Sequence, residues 1–202
     1  MWFRRSAAWD AEVYWALDLE TGGFDARRDA IFAVGMLPLR EGRARLGEAW
    51  RTLVRPEPGT RVSPSSIRTH GIVEAELAAA PPLAEVLAEL ERRISGGVLL
   101  VHHEGVDVAF LRRAFDRVGR RWPRPPVVDT ARLLLAHADR ERRRRPELPG
   151  VPPNVNLAAA RRAFGLPEYP VHDALADAMA AAELFLVLRA ELGAQTLRDL
   201  TR

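Results

Sequence analysis

The sequence predicts an α/β fold layered on a mixed sheet, from two patterns of apolar residues and one of size. Up to Val54, apolar runs are closed by compact turn signals such as Arg40-Glu41-Gly42-Arg43, which favours an antiparallel meander. From Leu83 onward, stretches with apolar residues at helical spacing alternate with short apolar strands, the pattern of helix-to-strand crossovers. At 202 residues, 48% of them hydrophobic and 28% charged, the chain is long enough to bury a sizeable core and reads as one domain over 1–202.

The elements follow in order. Val13 to Leu19 is an apolar strand ending in Glu20-Thr21-Gly22-Gly23, Ala30 to Leu39 a second strand, and Leu46 to Val54 a third. A Pro-rich crossing leads to a short helix from Pro64 to His70, with Ser63 as its start signal and Gly71 as its stop. Leu83, Val86, Leu87, Leu90 and Ile94 mark one helical face, and Gly96-Gly97 ends that helix before the strand Val98 to Val101. Further helices are expected over Val106 to Val118, Thr130 to Ala138, Asn156 to Phe164 and Asp173 to Glu191, with a short strand at Val127-Val128. The run Arg140 to Gly150 reads as a surface loop, and Gln195 to Leu200 as a helix end.

Composition narrows the chemistry. With no cysteine, thiolate zinc sites, disulfides and thiol catalysis are excluded, so a metal would be held by carboxylates, histidines and water, which suits Mg²⁺ or Mn²⁺. No apolar stretch approaches the roughly 18 residues of a membrane span, and MWFRRSAAWDAE lacks the apolar run of a signal peptide, so the expected setting is the cytoplasm, with no membrane partner. Every basic side chain is Arg, which keeps the pI near 10.3 although the net charge is only +3. Residues 112 to 145 carry twelve Arg against four acids. That excess suits a phosphate-facing edge and equally suits a solvated surface.

Pairs of the form acid-x-acid recur at Asp10/Glu12, Glu74/Glu76, Glu89/Glu91 and Asp139/Glu141, so spacing alone selects nothing. Asp18 and Glu20 differ because they end an apolar strand, where period-two alternation sends both side chains to one face. Two carboxylates leaving a hydrophobic strand together repel each other and lose hydration, and a cation or a proton relieves both costs. Asp107 follows the strand Val98 to Val101 at the start of a helix, and so lies beside a sheet edge. In the segment VHDALADAM, Asp173 reads as a helix cap, which leaves His172 just outside the helix and Asp177 in its first turns. Ala174 and Ala181, a turn to either side, let that helix pack close to a sheet.

These residues resemble the DnaQ-like family of DEDD exonucleases, in its histidine-containing branch, over roughly Tyr14 to Leu188. LDLETGG matches the first exonuclease motif, HHEGVDVAFL the second and HDALADA the third, with Arg68 to Ile72 and Val128-Asp129-Thr130 as weaker supports. The second motif departs from the family's common His-Asn-Ala and Phe-Asp, having His102-His103-Glu104 and Val106-Asp107 instead. That places the grip on the terminal nucleotide in question; of a role at the metal or a place in solvent, Glu104 is assigned the solvent.

The resemblance implies a ribonuclease-H-like fold with a five-stranded mixed sheet flanked by helices, and a single exonuclease domain with its core over about 12–190. It implies 3′→5′ trimming of a nucleic acid with a free 3′ end, DNA favoured, and a possible DNA polymerase partner. Two Mg²⁺ or Mn²⁺ ions would be held by Asp18, Glu20, Asp107 and Asp177, with His172 as general base. Thr21, Gly22, Phe24, His70 and His102 would line the substrate groove, although Phe24 suits the core equally well. His137 reads as structural and Asp129 as a helix cap. RNA trimming by a member of the same family, and nucleic-acid binding without catalysis, are the alternative readings, since none of these motifs reads a sugar 2′-OH.

Overall fold

Strand β1 (Tyr14–Thr21) runs down the middle of a six-stranded sheet, antiparallel to β2 (Ile31–Arg40) on one side and parallel to β5 (Val98–Val101) on the other. Beyond β5 lies β6 (Val127–Asp129), also parallel, while β3 (Arg43–Ala44) and β4 (Trp50–Leu53) share the outer edge of β2. The computed structural model describes residues 7–60, 71–72, 74–147, 152–170 and 172–201. The helix expected from Pro64 to His70 therefore lies outside the described residues.

The mixed α/β sheet is as expected, with one strand more than the five anticipated. The third strand, read as continuous from Leu46 to Val54, is broken by a 3-10 turn at Leu46–Glu48. Gly47 weakens a strand here, and Leu46, at 61% exposure, has no core to pair with, so only Trp50–Leu53 regains the ladder.

Alternation along β1 decides the layers. Trp15, Leu17 and Leu19 face a core built with α2 (Leu83–Ile94) and α3 (Glu104–Arg117), preceded by the short α1 (Glu74–Ala79). Tyr14 and Ala16 face the opposite core, made with α4 (Thr130–Arg144), α5 (Leu157–Ala163), α6 (Ala174–Leu192) and α7 (Leu197–Leu200). Helix α6 is apolar on nearly every side because sheet and helices enclose it, and its buried Ala178, Ala181 and Ala182 allow a close approach. Among the described residues no helix is long and apolar enough to cross a membrane.

Two surface expectations change. Arg140 to Arg144 continue α4 rather than forming a loop, because Arg favours helix and the pairs Arg142–Asp139 at 2.8 Å and Arg144–Glu141 at 3.2 Å support the last turns. Arg140 donates to the carbonyls of Glu191 and Leu192, satisfying the C-terminus of α6. Within the expected helix end, Thr196 and Asp199 form a reciprocal capping box and Leu197 and Leu200 are buried.

Candidate active site

Asp18 and Glu20 share the face of β1 that carries Tyr14 and Ala16, the face covered by α6. Across the ladder Asp18 stands opposite Gly35 and Glu20 opposite Ala33, so both acids meet small partners on β2. A Cβ on Gly35 would sit 2.2 Å from the carbonyl carbon of Ala174 and 2.3 Å from the nitrogen of Leu175. The missing side chain lets the first turn of α6 rest on the sheet beside Asp18.

That contact has a large expected effect. Gly35→Ala sets a methyl against backbone, which cannot rotate away, and should cost about 1–3 kcal/mol of stability in chemical denaturation. The same clash should push the turn ahead of Asp177 away from the sheet beside Asp18. Wild-type stability in this variant would show that the close approach of α6 to Gly35 is not needed.

Asp173 caps α6, its Oδ1 accepting from Leu175 N at 3.0 Å and Ala176 N at 3.1 Å while Oδ2 pairs with Arg51 at 2.9 Å. The residue before it, His172, sits at φ 67°, a left-handed conformation uncommon for a side chain this size, and its N–H donates to Asp177 Oδ2 at 3.0 Å. Asp18, Glu20 and Asp177 each offer an oxygen, and the three oxygens lie within 4.8 Å of one another.

Asp107, only 4% exposed, enters from the first turn of α3 and accepts from its own N–H and that of Leu19. The turn that presents it is held from β6. Asp129 accepts from Ala131 N at 2.9 Å as the cap of α4, and from His103 N at 3.0 Å and Glu104 N at 3.1 Å, so one carboxylate secures two helix starts. It thereby supports left-handed His103, at φ 70°, just ahead of α3. Glu104 is not left to solvent: it is partly buried and paired with Arg132 at 2.9 Å.

The charges of this cluster oppose one another. Burial in the cleft floor raises Asp18 well above the usual carboxylate range, reinforced by Asp107, Asp177 and Glu20. Asp107 is pushed up to about 8, mainly by burial, with Asp129 and Glu20 adding to it and the two backbone N–H groups opposing. Asp177 is raised as well, first by burial and then by Glu20, against the His172 N–H. An all-oxygen set that resists its own ionisation fits a hard divalent cation, which lowers the cost of every carboxylate at once.

These acids line a cleft of about 720 Å³ together with Thr21, Gly22, His102 and His172. His70 lies outside the described residues. Phe24 stands at the rim with 92% of its surface exposed, which removes the core reading. Its loop folds around buried Asp29, whose Oδ2 accepts from Asp25 N at 2.9 Å and where a Cβ on Gly23 would meet that oxygen at 2.3 Å. His102 lines the cleft, but its ring nitrogens are engaged, Nδ1 2.7 Å from Thr130 Oγ1 and Nε2 2.7 Å from Val155 O. Burial lowers its pKa to about 4, and because the Val155 carbonyl only accepts, Nε2–H donates to it. His137 packs on Phe164 with ring centroids 5.3 Å apart, a structural place as expected.

Sequence reasoning passed over Asp29, Gly35 and Arg161. A buried Arg161 in the cleft wall had no periodic signature, whereas a glycine opposite a paired acid in the neighbouring strand is a signal that pairing the two strands on paper would have exposed.

Residues 15–185 match the family described as Exonuclease, of the RNase T type. The chain belongs to this exonuclease family, and is DnaQ-like. Among its relatives, a Mycobacterium tuberculosis protein named as a bifunctional exonuclease/endonuclease is 34% identical over 175 residues, covering 87% of this chain and 25% of that protein. A DNA polymerase III subunit epsilon-like protein of Rhodobacter capsulatus is 33% identical over 191 residues, covering 93% of this chain and 25% of the relative. The chain thus spans about a quarter of the length of those curated relatives. The fold is shared with E. coli exonuclease I solved with a dT13 oligonucleotide, at TM-score 0.74 and 19% identity over 90% of this chain and 42% of that one. A zinc-bound form of the E. coli enzyme with single-stranded DNA gives TM-score 0.75 at 20% identity, over 93% of this chain and 42% of that one.

Proposed function

We propose that this exonuclease, a single domain over residues 1–202, removes nucleotides from the 3′ end of a DNA strand and releases nucleoside 5′-monophosphates. The observation that carries the reading is the convergence of Asp18, Glu20 and Asp177 within 4.8 Å, with His172 joined to Asp177 through its backbone. Asp18, Glu20, Asp107 and Asp177 are the residues that would hold two Mg²⁺ or Mn²⁺ ions. When bound, such ions lower the pKa of the attacking water and neutralise charge that builds on the phosphorus oxygens.

The chain's own groups do the rest. His172 accepts the proton that the attacking water gives up, imidazole being a side chain able to take and release a proton near neutrality. Phe24, exposed at the rim, offers a face on which the terminal base stacks. Thr21 and Gly22 line the same cleft, where Thr21 Oγ1 donates to Gly23 O at 2.7 Å and stiffens the turn below Phe24. The DNA preference draws on the single-stranded DNA bound by the exonuclease I neighbours, and a polymerase partner on the epsilon-like relative.

Matched DNA and RNA oligonucleotides labelled at the 5′ end test this reading together with a covalently closed DNA circle. The expected result is stepwise shortening of linear DNA, slower loss of RNA and an intact circle. Early internal cuts in the circle would make the enzyme an endonuclease, preferential loss of RNA would reassign the substrate, and no hydrolysis with Mg²⁺ or Mn²⁺ would leave a nucleic-acid-binding relative.

A further inference from the structure

The wall of the cleft contains a charged group that the proposed reaction does not use. Arg161, on α5, has a side chain only 4% exposed, and a guanidinium in such a place is tolerated only when its donors are matched. They are matched in three directions. Nη1 donates to Ala180 O on α6 at 2.8 Å, and Nη2 donates to Pro167 O at 2.8 Å and to Glu183 Oε2 at 2.7 Å. The other oxygen of Glu183, on α6, accepts from the Tyr169 hydroxyl at 2.8 Å, and the Arg161 guanidinium lies over the Tyr169 ring at 4.7 Å.

The partners fall in a pattern. Pro167 and Tyr169 belong to the segment that leaves α5 and delivers His172 to the start of α6, and Arg161 and Glu183 reach it from those two helices. We propose that Arg161, Glu183 and Tyr169 form a clasp that fixes this segment and so holds His172 at the reacting water; they are positioning residues for the general base. The proposal rests on the reading of His172 as that base. Its physical content is entropic: a connection tied at Pro167 and Tyr169 has lost most of its backbone freedom before substrate arrives, so little remains to be lost in the transition state. Asp177 belongs to α6 itself, so loosening the clasp should disturb His172 without dispersing the carboxylates.

A double-mutant cycle in kcat tests this, with Tyr169→Phe as the mild variant, keeping the ring and removing the hydroxyl, and Arg161→Met as the severe one. Tyr169→Phe should lower kcat about 3- to 10-fold and Arg161→Met about 10- to 10²-fold, the range for loss of charge-assisted hydrogen bonds. KM and Mn²⁺ affinity should stay within about twofold in both, since neither ground-state binding nor the acids are touched. In a His172→Ala background both substitutions should become nearly silent, because the group they position is gone. Equal costs in the two backgrounds, or a rise in KM without loss of kcat, would overturn the clasp and make Tyr169 and Arg161 structural or substrate-contacting residues. Tyr169→Phe keeps the test open if Arg161→Met does not fold. Failure of the base reading is seen separately: His172→Ala alone would then turn over at the wild-type rate, and the clasp would fall with it.

Discussion

Asp18→Ala is expected to abolish hydrolysis while raising the thermal stability of the metal-free protein. Asp18 is the acid on which the others press, since Asp107, Asp177 and Glu20 all raise its pKa beyond what burial does. In the proposed reaction it would also be one of the four acids that hold the cations, so its loss weakens the donor set. Titration calorimetry with Mn²⁺ should show metal binding weakened or lost, and single-turnover assays should fall to background. A variant that retains near wild-type turnover removes Asp18 from the chemistry.

The same cluster fixes the sign of a pH effect. Asp18, Asp107 and Asp177 have folded-state pKa values above those of an unfolded chain, about 8 against 3.8 for Asp107, so the native state binds protons that the unfolded state releases. Their contribution is fully present below the unfolded value and is lost as pH rises through the folded one. Metal-free wild type should therefore melt at progressively lower temperature between about pH 4 and pH 8, and saturating Mn²⁺ should oppose that decline at the upper end. In Asp18→Ala the slope should be shallower. A metal-free melting temperature that rises over this window would contradict the assignment of the raised groups.

The legible parts of this molecule were those governed by local rules. Period-two alternation is enough to put Asp18 and Glu20 on one face, and a capping aspartate at Asp173 is enough to leave His172 outside a helix that carries Asp177. The alternation of helices and strands from Leu83 onward likewise gave the crossovers and the mixed sheet. What escaped depends on contacts between elements distant in sequence. Asp129 reads as the cap of its own helix, yet it also holds the start of α3, a relation that exists only once β6 lies beside β5. Arg161 looks like one more arginine in an arginine-rich chain until α6 covers it. Charge misled in the other direction at Arg140 to Arg144, where a run that resembles solvated loop is stabilised as helix by its own ion pairs and by the end of α6.

His172→Ala separates proton transfer from metal assembly, because a base acts in the transition state whereas the carboxylates are needed beforehand. The variant should bind Mn²⁺ and DNA as the wild type does, since its link to Asp177 is made by the backbone N–H, which alanine keeps. Its kcat should fall by roughly 10² to 10⁴, the usual contribution of a positioned proton acceptor. A protonated imidazole cannot accept a proton, so wild-type kcat should carry an acid-side limb. The variant should lack that limb. The comparison belongs at saturating Mn²⁺, because Asp18, Asp107 and Asp177 release protons when a cation binds and an acid-side loss of occupancy would imitate a titrating base. Alanine also relieves any conformational cost of the left-handed backbone at φ 67° less well than glycine does, so His172→Gly provides the control. Equal losses in the alanine and glycine variants would assign the defect to the missing imidazole. Recovery in glycine alone, loss of Mn²⁺ binding, or an acid limb that persists without the ring would each remove His172 from the proton transfer.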